Sequence, residues 1–314
     1  MTVHKIELAQ GSLIGSFTTE VTPLLTIESG DSIRFQTLDA GWGTGTSNQD
    51  RYKPFSRRQD IDSGHALIGP LFIKEAKKGM TLEIRFNDII PGSYGFTAAG
   101  QYPNWQNQKL KLTEYKEISL DWKLDKEWMR GTCLINDKSF TVELQPFMGV
   151  IGMPPDRLGI HSTFPPRSCG GNIDCKELVK GSALYLPISV DGGYLSIGDG
   201  HARQGDGEIS CQAIESPMDL VDVTITVKED IVLTNPRANT PSGWITFGFH
   251  EDLNEATVAA LDGMLDLMGE LYGLNRVEAI ALGSSVVDLK ITQIVNGIKG
   301  VHACLPHGVF KPSI

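Results

Sequence analysis

Asp199 and His201 stand two residues apart in the stretch SIGDGHARQGDGEIS, residues 196–210. On an extended backbone that spacing points both side chains to one face. A carboxylate beside an imidazole is a donor pair that a borderline cation such as Zn2+ takes up while a position stays open for water or substrate. Asp206 and Glu208 repeat the spacing, and Glu215 follows shortly after. GGNID supplies Asn172 and Asp174 at the same interval, so that Asn172 can donate to an oxyanion while Asp174 binds a metal or a proton. LDAGWGTG places Asp39, and SGHALIGP places His65, beside glycines at predicted strand ends. Each has an ordinary reading as a turn or cap residue. Together they repeat one design, an acid or imidazole beside glycines that let a backbone approach a ligand closely.

The elements that must position these residues are mostly strands. Up to about Leu144 the chain alternates short runs of β-branched and aromatic residues with Gly, Pro, Asp and Asn. LLTIESGDSIRFQTLDA and KKGMTLEIRFNDIIPGSYGF predict hairpins or meanders. The two Pro-Pro pairs of FMGVIGMPPDRLGIHSTFPPRSC predict an ordered connection and the main boundary, since neither pair fits a helix or a central strand. ALYLPISV and YLSIG, joined by DGG, predict a hairpin at Asp191-Gly192, with EISCQAIE and VDVTITV as two further strands. EDLNEATVAALDGMLDLMGELYG predicts an amphipathic helix ended by Gly273, with Leu261, Leu265 and Met268 in the core. RVEAIALGSSVVDL predicts a shorter helix and KITQIV a strand. The expected class is α+β, predominantly β. Three parts are expected: an N-terminal β-rich domain (1–146), a central β region carrying the GGNID and GDGH loops (147–240), and a small C-terminal α/β region (241–314).

The bulk numbers exclude several functions. With 314 residues, 40% hydrophobic and 21% charged, the chain can bury a sizeable core without staples. A net charge of −10 leaves no basic face for nucleic acid or an anionic membrane. The basic cluster Arg51, Lys53, Arg57 and Arg58 is interrupted by Asp50 and Asp60 and reads as a solvated loop. Five cysteines without a CxxC pair suit a reducing compartment, with Cys169 and Cys175 as small buried hydrophobes. MTVHKIELAQ has no apolar segment behind a basic head, and no run of about eighteen apolar residues occurs; the expected location is the cytoplasm. There is no GxSxG, HExxH, GxGxxG before a helix, or GxxxxGK[ST], so serine hydrolases, zincins and nucleotide enzymes lose support.

The segment PPRSCGGNIDCKELVKGSALYLPISVDGGYLSIGDGHARQGDGEISCQAIE resembles the acetamidase/formamidase family in its GGNxD, its LYLP strand and its GDGHAxQGDGE loop. GPLFIKEAKKGMTLEI, WITFGFHEDLNEATVAALDGML and VNGIKGVHACLP extend the likeness. The resemblance implies jelly-roll-like and β-barrel-like parts, a metal-dependent site, a homo-oligomer such as a dimer, and hydrolysis of formamide or acetamide to the acid and ammonia. It carries over Asn172, Asp174, Asp199, His201, Gln204 and Glu208, with His65 ahead of the Gly-Pro turn. Where many members have a histidine or aromatic residue before GGNxD, this chain has Cys169 and Gly170.

Both lines lead to metal-assisted hydrolysis, with Asp174, His201 and Glu215 as expected ligands and Asp39 or His65 completing or flanking them. Glu208 is the expected general base. Zn2+ is the expected ion, with room for an additional Ca2+. The rivals are a cupin-like oxygenase, which usually shows an HxH pair, and a non-catalytic jelly-roll module binding Ca2+ and sugar through Trp42, Trp105 or Trp122. Calcium prefers six to eight oxygens and has little use for His201.

Overall fold

The computed structural model describes residues 1–44 and 52–310; Asp50 and Arg51 lie outside the described residues. The first strands are β1 (Val3–Lys5), β2 (Leu13–Ile14), β3 (Leu25–Ile27), β4 (Asp31–Phe35), β5 (Leu67–Ile73), β6 (Thr81–Pro91) and β7 (Tyr94–Ala99), followed by helix α1 (Trp105–Lys109). The middle holds β8 (Ile118–Asp125), β9 (Arg130–Ile135), β10 (Lys138–Glu143), β11 (Phe147–Gly152), β12 (Gly170–Asn172), β13 (Ala183–Pro187), β14 (Leu195–His201) and β15 (Met218–Lys228). Then come β16 (Arg237–Asn239), β17 (Gly243–His250), helices α2 (Leu253–Tyr272) and α3 (Arg276–Gly283), β18 (Asp288–Gln293) and β19 (Lys299–Pro306).

These strands form a nine-stranded sheet in the order β1-β4-β15-β6-β13-β16-β17-β19-β18, a six-stranded sheet β12-β11-β14-β5-β2 with β3 beside β5, and a four-stranded sheet β10-β9-β8-β7. None closes into a barrel. The protein is thus mostly β with a small helical region near its C-terminal end, as the sequence pattern requires. Alternation makes the core: Leu82, Ile84 and Phe86 of β6 face Leu71 and Ile73 of β5 and Ile197 of β14 across the gap between the two larger sheets. β14, central in its sheet, is buried along its whole length.

The expected hairpins do not form. After Gly30, β3 lies against β5 while β4 pairs with β1 and β15. β6 pairs with β13 and β15, but β7 pairs with β8. Past Asp191, β13 belongs to the nine-stranded sheet and β14 to the six-stranded one. Alternation specifies which face is apolar but not which strand lies alongside, so each turn sends the chain across the core. EISCQAIE is not a strand: it makes isolated bridges from Glu215 to Phe96 and His201. The proline-rich connection begins only after β11, which takes up FMGVIG.

α2 starts at Asp252, whose side chain caps the Asn254 N–H, and ends at Gly273 in the left-handed conformation. Its buried stripe is Ala256, Ala260, Met264, Leu267 and Met268 against Val301 and Ala303 of β19, with Leu261 and Leu265 at the margin. α3 is shorter than expected, because Val286 onward leads into β18. Trp42 is fully buried and its indole N–H donates to Gly64 O at 2.9 Å, so it is no surface platform. Arg58 is anchored rather than free, forking onto buried Asp62 at 2.8 Å and Leu13 O at 3.0 Å. Among the described residues no helix is long and apolar enough to cross a membrane.

Candidate active site

The site is built where three neighbouring strands end. β11 runs antiparallel to β14, with Phe147 opposite His201 and Val150 opposite Gly198, and β12 lies on its other side with Asn172 opposite Val150. Asp174, two residues beyond Asn172, therefore meets Asp199 and His201 across β11. Between them stands Gly149: a Cβ there would lie 2.7 Å from Asp174 Oδ1, 2.7 Å from Asp199 Oδ2 and 2.9 Å from His201 Cε1. Three side chains converge over a residue that has none. Gly171 lets the chain turn into this corner, with φ +117 and Pro165 O 2.7 Å from where a Cβ would be.

Glu215 comes from the segment after the Gly-rich loop. It exchanges two backbone hydrogen bonds with Phe96 of β7, both 2.9 Å, and flanks the end of β14 on its other side. Glu208 sits on the loop between, where Gly207 N–H donates to Thr292 O at 3.0 Å. Asp174, Asp199, His201, Glu208 and Glu215 are all nearly inaccessible.

Their donor atoms form two groups sharing the imidazole: Asp199, His201 and Glu215, and Asp174, His201 and Glu208, each within 4.8 Å. His201 Nε2 lies 3.4 Å from Asp199 Oδ1 and 3.4 Å from Glu215 Oε2, longer than a charge-assisted hydrogen bond. Its Nδ1 faces Gln204 Oε1 at 3.0 Å, and Gln204 Nε2 donates to Asp174 O at 2.8 Å. That chain keeps a proton on Nδ1 and leaves the Nε2 lone pair for a ligand, the usual support of a metal-binding histidine. Asn296 Nδ2 donates to Asp174 Oδ2 at 2.9 Å, and Ala213 N–H to Glu215 Oε1 at 3.0 Å. Asp174 Oδ1, Asp199 Oδ1, Glu208 Oε2, Glu215 Oε2 and Asn172 Oδ1 are buried without a hydrogen-bond partner. Four carboxylates with unpartnered oxygens around one imidazole are a donor set that a cation satisfies. Asp174, Asp199 and Glu208 also take positive φ, +53, +59 and +48, a conformation few residues other than glycine adopt and one that gathers at functional sites.

Electrostatics follows from this crowding. Burial pushes the Asp174 carboxyl up to about 8, with Asp199 and Glu215 adding to the rise against His201. Burial, then Asp174, raises Glu208 well above its ordinary range. Burial opposes ionisation of Asp199 as well, but His201 and then His65 hold it down at about 2. Burial lowers His201 and is overcome by Glu215 and Asp199, which raise it well above the ordinary histidine value.

Above the carboxylates opens a cavity of about 700 Å3, walled by His65, Phe96, Tyr102, Phe164, Val295 and Asn296, with Asn172 reaching into it. His65 Nδ1 pairs with Thr163 Oγ1 at 2.8 Å and its ring packs on Phe164, centroids 4.6 Å apart. Asp39 stands apart from both donor groups: its Oδ1 accepts the N–H groups of Gly41 and Gly43, holding the loop whose Ala40 and Gly41 line the cavity. Of the residues expected from the sequence, Asn172, Asp174, Asp199, His201, Glu208 and Glu215 are brought together, His65 lies in the wall, and Asp39 shapes a loop. Sequence reasoning missed Gly149 and Asn296. The first has a signal, a glycine inside the strand FMGVIG; the second has none.

Residues 157–312 match the sequence model of the Acetamidase/Formamidase family. A formamidase from Methylophilus methylotrophus is 59% identical over 54 residues, 17% of this chain and 13% of that protein. The curated relatives are matched over only 13% to 58% of their own lengths. Two solved structures are similar along nearly the whole chain. A predicted acetamidase/formamidase from the thermophile Thermoanaerobacter tengcongensis has a TM-score of 0.81 at 26% identity, covering 97% of this chain and 96% of that one. An acetamidase from Bacillus halodurans has a TM-score of 0.80 at 27% identity, covering 96% and 97%. Residues 157–312 thus carry the match to the acetamidase/formamidase family, and the chain as a whole is similar in fold to those solved relatives.

Proposed function

We propose that this protein hydrolyses short linear amides, formamide or acetamide in type, to the carboxylic acid and ammonia, using a bound divalent cation. The observation that carries the reading is the convergence of Asp174, Asp199, His201, Glu208 and Glu215, with four unpartnered carboxylate oxygens, beneath the cavity. The names of the relatives, formamidase and acetamidase, support the substrate class.

His201 through Nε2, Glu215, Asp199 and Asp174 are the residues we assign to the cation, and Zn2+ suits the imidazole among them. When bound, such an ion supplies Lewis-acid polarisation and a lowered pKa for water. The chain's own groups do the rest. Gln204 fixes the His201 tautomer. Asn172, with its Oδ1 free, pairs with the substrate amide, accepting its N–H and donating to its carbonyl oxygen. Glu208 takes a proton from the water that attacks the carbonyl carbon and delivers it to the leaving nitrogen, so that ammonia departs as the C–N bond breaks. His65, held by Thr163 and Phe164, closes the wall over the substrate.

The reading includes a cytoplasmic homodimer. Five free cysteines support the compartment. Leu134 and Phe140, 70% and 47% exposed on the four-stranded sheet, support association. The test is ammonia release from formamide, acetamide, propionamide and urea with and without chelator. Chelator-sensitive release from a short amide is the expected result; none from any amide in metal-loaded protein overturns the proposal.

A further inference from the structure

The residue after Asp174 faces a different group. Cys175 Sγ, a carboxylate oxygen of Glu177 and an imidazole nitrogen of His302 lie within 4.8 Å of one another, all three residues buried. Cys175 Sγ is 3.3 Å from Glu177 Oε2, and His302 Nε2 is 3.4 Å from the same oxygen. The remaining donors are already occupied: Lys290 Nζ holds Glu177 Oε1 at 2.7 Å, and Thr292 Oγ1 holds His302 Nδ1 at 2.7 Å. His302 Nε2, on a fully buried side chain, is without a hydrogen-bond partner and aimed at the other two donors.

A charge-assisted ion pair would draw Nε2 to within about 2.9 Å of the carboxylate. The observed spacing is wider and fits another geometry. Bonds of about 2.0 Å to nitrogen or oxygen and 2.3 Å to sulfur place tetrahedral donors roughly 3.3 to 3.6 Å apart. Thr292 on the far imidazole nitrogen and Lys290 on the far carboxylate oxygen are the outer partners that orient such ligands.

We propose that Cys175, Glu177 and His302 form a second, structural cation site of the Zn2+ class, separate from the cavity. Cys304, two residues from His302 and on the same face of β19, is the candidate for its fourth position. The site is the back of the wall described above: Cys175 is bonded to Asp174, and Thr292, which orients His302, accepts the Gly207 N–H beside Glu208. An ion there fixes the backbone from which both carboxylates project. The inference stands on these residues alone and survives failure of the amidase reading.

The test is spectroscopic. Metal-free protein is titrated with Co2+ and followed by thiolate-to-cobalt charge-transfer absorption, which the cavity's carboxylates and imidazole cannot give. Expected is a band at saturation that Cys175→Ser weakens by half or more, that the double change Cys175→Ser with Cys304→Ser abolishes with one equivalent of metal lost, and that Cys211→Ser, a change at the cavity wall, leaves intact. Absence of the band in the native protein, its loss in Cys211→Ser, or its persistence in the Cys175→Ser, Cys304→Ser double variant overturns the proposal. X-ray absorption of the native zinc-loaded protein decides independently of any variant: a sulfur neighbour at about 2.3 Å supports the site, and only nitrogen and oxygen neighbours overturn it.

Discussion

Gln204 binds His201 and Asp174 at once, Oε1 to the imidazole Nδ1 at 3.0 Å and Nε2 to the peptide oxygen at 2.8 Å. One amide therefore sets both the tautomer of the histidine and the height of the carboxylate across β11. Gln204→Leu removes both contacts and is expected to weaken cation affinity about 10- to 100-fold while leaving the circular dichroism spectrum unchanged. Competition titration against a chelator of known affinity measures it, and wild-type affinity in the variant would refute the linkage.

Gly149→Ala puts a methyl group within 2.7 Å of both Asp174 Oδ1 and Asp199 Oδ2. The crowding is expected to destabilise the fold by about 1–3 kcal/mol and to cut metal content well below that of the native protein. Elemental analysis of folded variant protein gives the answer; full occupancy would mean that the site yields easily.

Glu208→Gln keeps the shape of the side chain and removes its capacity to carry a proton. Turnover of the best amide is expected to fall by about 10²-fold or more, with cation content retained. An active variant would move the role of base to another residue.

The crowded carboxyl groups give the metal-free protein an unusual pH response. Asp174 ionises near 3.8 when unfolded but only at about 8 when folded, because of burial first and neighbouring charge second. Between those values the folded state binds the extra proton, so stability falls as pH rises. Glu208 and His201, both raised, act in the same direction. Asp31 and Asp199, each held at about 2, contribute stability that is lost only below about pH 4, outside this window. In chelator, the melting temperature is expected to be lower at pH 8.5 than at pH 5.5, and added Zn2+ should abolish the difference. A flat or rising profile in chelator would contradict the coupling.

The donors were legible in the sequence because acid and imidazole types at an interval of two fix a common face on an extended chain, as at Asp199 and His201. The strand partners were not. Asp191-Gly192 marks a reversal, but whether the chain folds back on itself or crosses to a second sheet depends on apolar surface more than a hundred residues away in sequence, such as Phe72 and Ile73 beside β14. Asp39 shows the complementary error: an acid beside glycines also satisfies backbone N–H groups, and its own loop took it. Gly149 left only the weak signal of a glycine inside a strand, because its contribution is an absent side chain.

Glu215 is tied to β7 by both of its backbone groups while its carboxylate faces His201. The exposed four-stranded sheet is thus joined directly to a residue that we assign to the cation. The sheet that exposes Leu134 and Phe140 is therefore continuous, through one backbone bridge, with the buried centre of the protein.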